Sequence, residues 1–283
     1  MLKQSSILNV FNDLAAKAEA NAQIAEGDYY GEDGLLYCHK CNTKKQTEVQ
    51  FPWGIRRPMC LCKCQAAKRA AEEDEHKRRE FEKRVHELRR IGFTEAEMRN
   101  WTFSNDDLTN EKITKAAQRY VENFSELRKS GKGLLLYGNT GTGKTYTACE
   151  IANALIDKGY PVLVTNFARI LNTLQGTFEK QEYIDGFNNY QLLVIDDLGI
   201  ERDTAYAKEQ VFNIIDSRYR SGLPMIITTN LTMEKIKNPE DIENRRIYDR
   251  ILERCFPIEV GGSSRRRKAV REDYDEMKNI LGL

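Results

Sequence analysis

Residues Gly138-Asn139-Thr140-Gly141-Thr142-Gly143-Lys144-Thr145 follow the apolar run Leu134-Leu135-Leu136-Tyr137 and lead into a helix-like run from Tyr146 to Ile156. An apolar strand that passes through a glycine-rich turn straight into a helix leaves few architectures open. The helix must return across the sheet, so the strand belongs to a parallel sheet covered on its faces. The turn has the spacing G-x-x-x-x-G-K-[ST]. Its glycines let successive backbone N–H groups point inward, and the helix N-terminus adds partial positive charge, which together cradle phosphate oxygens. Within such a loop Lys144 reaches the β- and γ-phosphates of a nucleoside triphosphate, and the Thr145 hydroxyl ligates Mg²⁺.

With 283 residues, the chain has room for one such domain and a smaller accessory region. A hydrophobic content of 40% supports a folded core, and a net charge of +1 excludes a wholly basic nucleic-acid coat. No window reaches the apolar length of a membrane span, and the N-terminal residues lack the apolar run of a signal peptide. The expectation is a cytoplasmic protein without membrane contact, in which clustered cysteines bind metal more often than they form disulfides.

Three segments separate by composition: 1–64, 65–90 and 91–283. Ile7, Val10, Phe11, Leu14 and Ala15 recur at helical spacing, and Gly31, Gly34, Pro52, Gly54 and Pro58 mark a loop-rich module beyond them. The second segment is charge-dense, with Glu73–Lys77, Asp74–Arg78, Glu75–Arg79 and Glu80–Arg84 at i,i+4. It reads as an exposed linker helix, with Phe81, Val85 and Leu88 as a narrow apolar stripe on its second half. In the third segment, strands are expected at 133–137, 161–165, 191–195, 224–228 and 256–260, separated by helix-length stretches. The predicted fold is α/β: a P-loop domain on a five-stranded parallel sheet, preceded by a small cysteine-rich module and a charged helix.

Four further features surround the loop. Leu192-Leu193-Val194-Ile195-Asp196-Asp197 is an apolar strand ending in two carboxylates. The first suits Mg²⁺ and its water shell; alternation puts the second elsewhere, placed to orient and deprotonate an attacking water. Thr228-Thr229-Asn230 closes another strand, and Asn230 offers both donor and acceptor toward a γ-phosphate if that strand lies between the other two. Arg250 precedes the last strand and Arg265 follows it; guanidinium groups stabilise charge on a transferring phosphoryl group. Arg245, Arg266 and Arg267 read as surface charges.

Cys38-His39-Lys40-Cys41 and Cys60-Leu61-Cys62-Lys63-Cys64 hold five of the seven cysteines. Four thiolates at such spacing form a tetrahedral Zn²⁺ site. Cys38, Cys41, Cys62 and Cys64 are the favoured set, with Cys60 as the substitute. Cys149 and Cys255 read as core.

The segments Gly138–Thr145, Leu192–Gly199, Thr228–Leu231, Asp249-Arg250-Ile251-Leu252 and Gly261-x-Ser263-x-Arg265 together resemble the AAA+ ATPase domain of DnaC/DnaI-type replicative helicase loaders. Trp101-Thr102-Phe103 resembles their lead-in segment. The chain is also similar to the helper ATPases of IstB-type transposition systems. The resemblance covers about 91–275. It implies ATP as the nucleotide, Asp196 as the Mg²⁺-site carboxylate, Asp197 as the catalytic one and Asn230 as the γ-phosphate sensor. It further implies Arg250 as a finger acting on a neighbouring subunit, hence a homo-oligomer, and Arg265 as the sensor arginine in cis. Many AAA+ proteins have Glu where this chain has Asp197, which fits a slow switch better than a motor. The N-terminal region of such loaders contacts the helicase.

Asn166–Phe187 interleaves Phe167, Tyr183 and Phe187 with Arg169 and Lys180, the ingredients of a single-stranded DNA surface. The favoured reading of the segment is nonetheless an ordinary crossover helix with Phe167, Ile170, Leu171 and Leu174 as its buried stripe. The leading expectation is an ATP-controlled helicase loader acting on single-stranded DNA. A transposition helper is the alternative, and a small-molecule kinase is the outlying one.

Overall fold

The computed structural model describes residues 24–262 apart from 53 and 200–203, together with 264, 274, 277, 278, 280 and 281. The helical spacing at Ile7–Ala15 and the arginines at 265–267 lie outside the described residues. Contacts divide the chain into two units, 1–80 and 81–283.

The first unit is made largely of turns. Strands β1 (Tyr29–Tyr30) and β2 (Leu36–Tyr37) pair antiparallel, as do β3 (Val49–Phe51) and β4 (Gly54–Arg56). Ladders this short bury little apolar surface. Among the described residues of this unit, only Leu35, Leu36, Cys38 and Cys62 are buried hydrophobics. A segment with so small a core needs another source of order.

Helix α1 (Lys63–Gly92) runs 30 residues, and the boundary between units falls within it. Residues 65–80 are exposed throughout. Ion pairs line them: Lys68–Glu72, Arg69–Glu73 and Arg79–Glu75. Glu73 takes Arg69 one turn behind it, and Lys77 meets Asp74 at 3.9 Å. Beyond the boundary, Val85 and Leu88 of the expected stripe pack against the core of the second unit, while Phe81 stays exposed.

That second unit contains α2 (Glu111–Glu122), α3 (Phe124–Ser130), β5 (Gly133–Tyr137), α4 (Lys144–Asp157), β6 (Val162–Asn166), α5 (Phe167–Gly176) and α6 (Lys180–Gly186). These are followed by β7 (Leu192–Leu198), α7 (Ala205–Ser221), β8 (Met225–Thr229), α8 (Met233–Lys237), α9 (Ile242–Arg254) and β9 (Cys255–Glu259). The sheet order is β6-β7-β8-β5-β9, with every pair parallel. The loops after β5, β7 and β8 therefore leave the sheet at one edge, and β8 lies between β5 and β7.

Strand alternation splits the core in two. Leu135, Leu193, Ile195, Met225 and Ile227 face one cluster, completed by α5, α7 and α9. Leu134, Leu136, Leu192, Val194 and Ile226 face the other, completed by α2 and α4. Both faces of the sheet are covered, which explains why these strands read as continuous apolar runs. At Gly133 a Cβ would stand 1.7 Å from the Met225 carbonyl oxygen, so β5 and β8 approach at a point only glycine permits. Arg218 is also fully buried, its guanidinium spent on the carbonyls of Phe187, Tyr190 and Pro224.

Candidate nucleotide site and cysteine cluster

β5 ends at Tyr137, and the glycine-rich loop turns the chain into α4. Gly138 and Gly143 adopt φ of 142° and 100°. These values are costly for any residue with a Cβ, so the loop's shape depends on its glycines. Thr142 is buried and donates to the Asn139 carbonyl. Lys144, the first residue of α4, is 5% exposed. Its ammonium donates to the carbonyls of Gly138 at 3.0 Å and Asn139 at 2.7 Å, and to Oδ1 of Asn230 at 2.8 Å. Asn230 follows β8, so the loop lysine and the asparagine meet across the sheet edge. Thr140 and Gly141 complete the loop, with Gly141 at φ 84°.

Thr145 donates to both oxygens of Asp196, at 2.9 and 3.1 Å. This hydroxyl–carboxylate pair is the donor set a hard divalent cation takes, with open positions left for water and phosphate. Burial pushes the Asp196 carboxyl above its ordinary pKa and Asp197 adds to the rise, against hydrogen bonds from Thr228 and Thr145. A cation beside it would offset that cost.

The two aspartates are separated by more than alternation. Ile195 pairs with Ile227 and Leu198 with Thr229, so Asp196 and Asp197 together oppose Thr228 alone. That is a β-bulge, and Asp197 takes up the extra residue with φ 59°. Thr228, fully buried, locks the distortion: its hydroxyl donates to Asp196 Oδ1 and accepts from the Asp197 N–H at 3.0 Å. Thr229 in turn donates to the Leu198 carbonyl at 2.7 Å. The pattern of apolar strand plus acids carried the two carboxylates, but nothing in it foretold the bulge. The only signal was a pair of β-branched hydroxyl residues where a core strand would otherwise be apolar.

Arg250 lies on α9, where its guanidinium is held by Asp216 of α7. Arg265 falls outside the described residues. In the lead-in segment, Asn153 of α4 donates to the carbonyls of Met98 and Trp101, and Trp101 stacks on Tyr146 at 5.6 Å. These contacts tie α4, the helix that follows the phosphate loop, to the lead-in segment.

Within the first unit, the thiols of Cys38, Cys41, Cys62 and Cys64 all lie within 4.8 Å of one another. Cys62 and Cys64 sulfurs are 3.3 Å apart, and Cys38 and Cys64 sulfurs 3.6 Å. A tetrahedral Zn²⁺ with Zn–S bonds of about 2.3 Å sets its sulfurs about 3.8 Å apart, so the donor set fits. Cys60 is outside the group, directed at the Lys44 carbonyl. Hydrogen bonds from Thr43 and the backbone lower the Cys41 thiol to a pKa of about 6, while hydrogen bonds with Cys62 and Cys38 push Cys64 up to about 12. Asp28 is committed to Lys45 and His39, so the neighbouring Asp28–Cys38–His39 group is an ion-pair cluster.

Of the two readings of Asn166–Phe187, the crossover helix is the one observed. Phe167 and Phe187 are 1% and 6% exposed and belong to the core, so neither can stack on a base. Ile170, Leu171 and Leu174 are buried with Phe167, as the crossover-helix reading requires. Lys180 sits over the Tyr206 ring. The exposed aromatic of this region is Phe178, between α5 and α6, which the spacing argument passed over.

The chain is similar to several known proteins. Residues 65–273 match the family model of the IstB-like ATP binding protein. The chain is 28% identical over 160 residues to the replicative helicase loader DnaI of Bacillus subtilis, covering 52% of this chain and 51% of that one. It is 30% identical to the replicative helicase loader DnaC of Buchnera aphidicola subsp. Schizaphis graminum, covering 58% of this chain and 68% of the relative. It thus spans about half the length of the first relative and two thirds of the second. The crystal structure of a DnaI superposes with a TM-score of 0.52 at 27% identity, covering 62% of this chain and 96% of that one. The phosphate-loop fold, the paired loop lysine and asparagine, and the extent of the match lead to one conclusion: the chain belongs to the family of IstB-like ATP-binding proteins.

Proposed function

We propose that the chain is an ATP-dependent loader of a replicative helicase, which uses nucleotide state to control delivery of the helicase to single-stranded DNA. The observation that carries the reading is the contact of Lys144 with Asn230 beside the Thr145–Asp196 pair. A γ-phosphate bound to Lys144 would compete for the same ammonium that Asn230 holds, so the strand bearing Asn230 senses whether the triphosphate is intact.

In this reading the loop from Gly138 to Thr145 binds ATP, and Thr145 and Asp196 hold Mg²⁺. The bulge sets Asp197 to orient the attacking water, Arg250 acts on the site of a neighbouring copy, and Arg265 acts in cis. Slow hydrolysis fits the short Asp197 side chain. Cys38, Cys41, Cys62 and Cys64 hold Zn²⁺ and order the unit that meets the helicase. Cytoplasmic location follows from the replication role; no helix among the described residues is long and apolar enough to cross a membrane.

A helicase-loading assay on circular single-stranded DNA tests the proposal. Loading should require ATP and be lost in Lys144→Ala; ATP-independent loading, or none with the intact chain, would overturn it. The second reading, a transposition helper acting with a transposase on duplex DNA, is favoured by the family description. ATP-dependent binding of duplex DNA, without helicase recruitment, would select it.

A further inference from the structure

Helices α7 and α9 meet along a ladder of arginines and aromatic rings. Arg246, Arg250 and Arg254 recur every four residues on α9. Arg246 and Arg250 cover the Phe212 ring at 4.3 and 4.5 Å, and Arg254 covers Tyr219 at 4.7 Å. Between the rings stands Asp216, whose side chain is 12% exposed. Its Oδ1 accepts from Arg250 Nε at 2.7 Å, and its Oδ2 meets Arg220 at 2.6 Å. Arg250 Nη1 donates to the Arg246 carbonyl at 3.2 Å. The Nη2 edge of Arg250 has no partner among the described residues.

A guanidinium used on a phosphoryl group must be held still while keeping donors to spare. A flexible arginine loses much of its value to rotamer entropy; one seated on a ring and gripped at Nε does not. We propose that Asp216 is the positioning residue for Arg250: it anchors Nε against the Phe212 shelf and leaves the terminal edge to a phosphoryl oxygen of a second copy of this chain. This rests on the trans role proposed for Arg250. Arg220, 74% exposed, meets the second carboxylate oxygen of Asp216 from the solvent side.

The test is subunit mixing with Asp216→Asn, which preserves volume and removes the charge. Alone, Asp216→Asn should lower kcat at assembling concentrations by about tenfold to a hundredfold while ATP affinity stays unchanged, since misplacing a reacting group costs this much. Adding Lys144→Ala subunits, which carry an intact Asp216–Arg250 pair but an impaired site, should restore turnover. Adding Arg250→Ala subunits should not. Asp216→Glu should recover part of the rate. If Asp216→Asn does not fold, Phe212→Leu removes the shelf and should show the same rescue pattern. A loss of rate that Lys144→Ala fails to rescue would mean Asp216 acts only in its own subunit, and would overturn the assignment. An undiminished rate in Asp216→Asn beside a reduced one in Arg250→Ala would remove Asp216 and keep Arg250. An undiminished rate in Arg250→Ala would remove the trans reading itself.

Discussion

The two units of this chain acquire order in opposite ways. In the second, two apolar clusters cover both faces of a five-stranded sheet, and the polar residues of the nucleotide site sit where the strands end. Among the described residues of the first, four short strands bury almost nothing, and the thiols of Cys38, Cys41, Cys62 and Cys64 gather within 4.8 Å of one another. One unit is stabilised by area removed from water. The other depends on a few side chains and, on our reading, on the metal they hold. The difference teaches that the two should fail separately and by different insults.

The largest effect expected is in the first unit. Structural Zn²⁺ sites of four thiolates contribute about 10–16 kcal/mol of apparent binding energy, which is also folding energy. Native mass spectrometry should therefore find one zinc on the intact chain and none on Cys38→Ser, in which residues 24–64 should open to protease. ATP affinity in the second unit should change by less than about twofold, because sites without shared partners are near-additive. Retention of zinc and protease resistance would break the comparison from one side.

From the other side, Leu135 of β5 is fully buried in the larger cluster. Leu135→Ala should destabilise the second unit by about 2–5 kcal/mol in denaturant unfolding, while zinc content stays at one per chain. A smaller effect sharpens the picture of the site. Thr228→Val removes a buried hydroxyl that both donates to Asp196 and accepts from the Asp197 amide. A cost of about 1–3 kcal/mol is expected for leaving those groups unpaired. Turnover should fall more than ATP affinity, since the bulge positions Asp197 and not the phosphate loop. Equal losses in kcat and in affinity would mean that Thr228 serves the strand and not the bulge.

Much of this was legible in the sequence, for identifiable reasons. Strands covered on both faces read as apolar runs, so all five were found within a residue or two at most ends, and the glycine spacing of 138–143 reported a backbone that only glycine adopts cheaply. The exception was β7, which continues to Leu198 through the two aspartates: the bulge takes up the extra residue, and pairing with β8 resumes at Leu198. Local spacing carries no information about such a distortion, because its cause, Thr228, lies on another strand. Phe167 and Phe187 misled for a related reason. An aromatic beside a cation looks the same in sequence whether the ring faces a base or the core. Asp216 was invisible too, since it meets Arg250 only once α7 and α9 have packed.

The central proposal is a division of labour: the first unit, residues 1–80, meets the helicase, and the phosphate-loop domain reads the nucleotide. Co-purification with the replicative hexameric helicase of the same cell, for the full chain and for a chain lacking residues 1–80, tests it most directly. The account predicts that the full chain binds the helicase, and that the shortened chain loses the helicase while still binding a fluorescent ATP analogue. Helicase binding retained by the shortened chain, or absent from the full one, would contradict it.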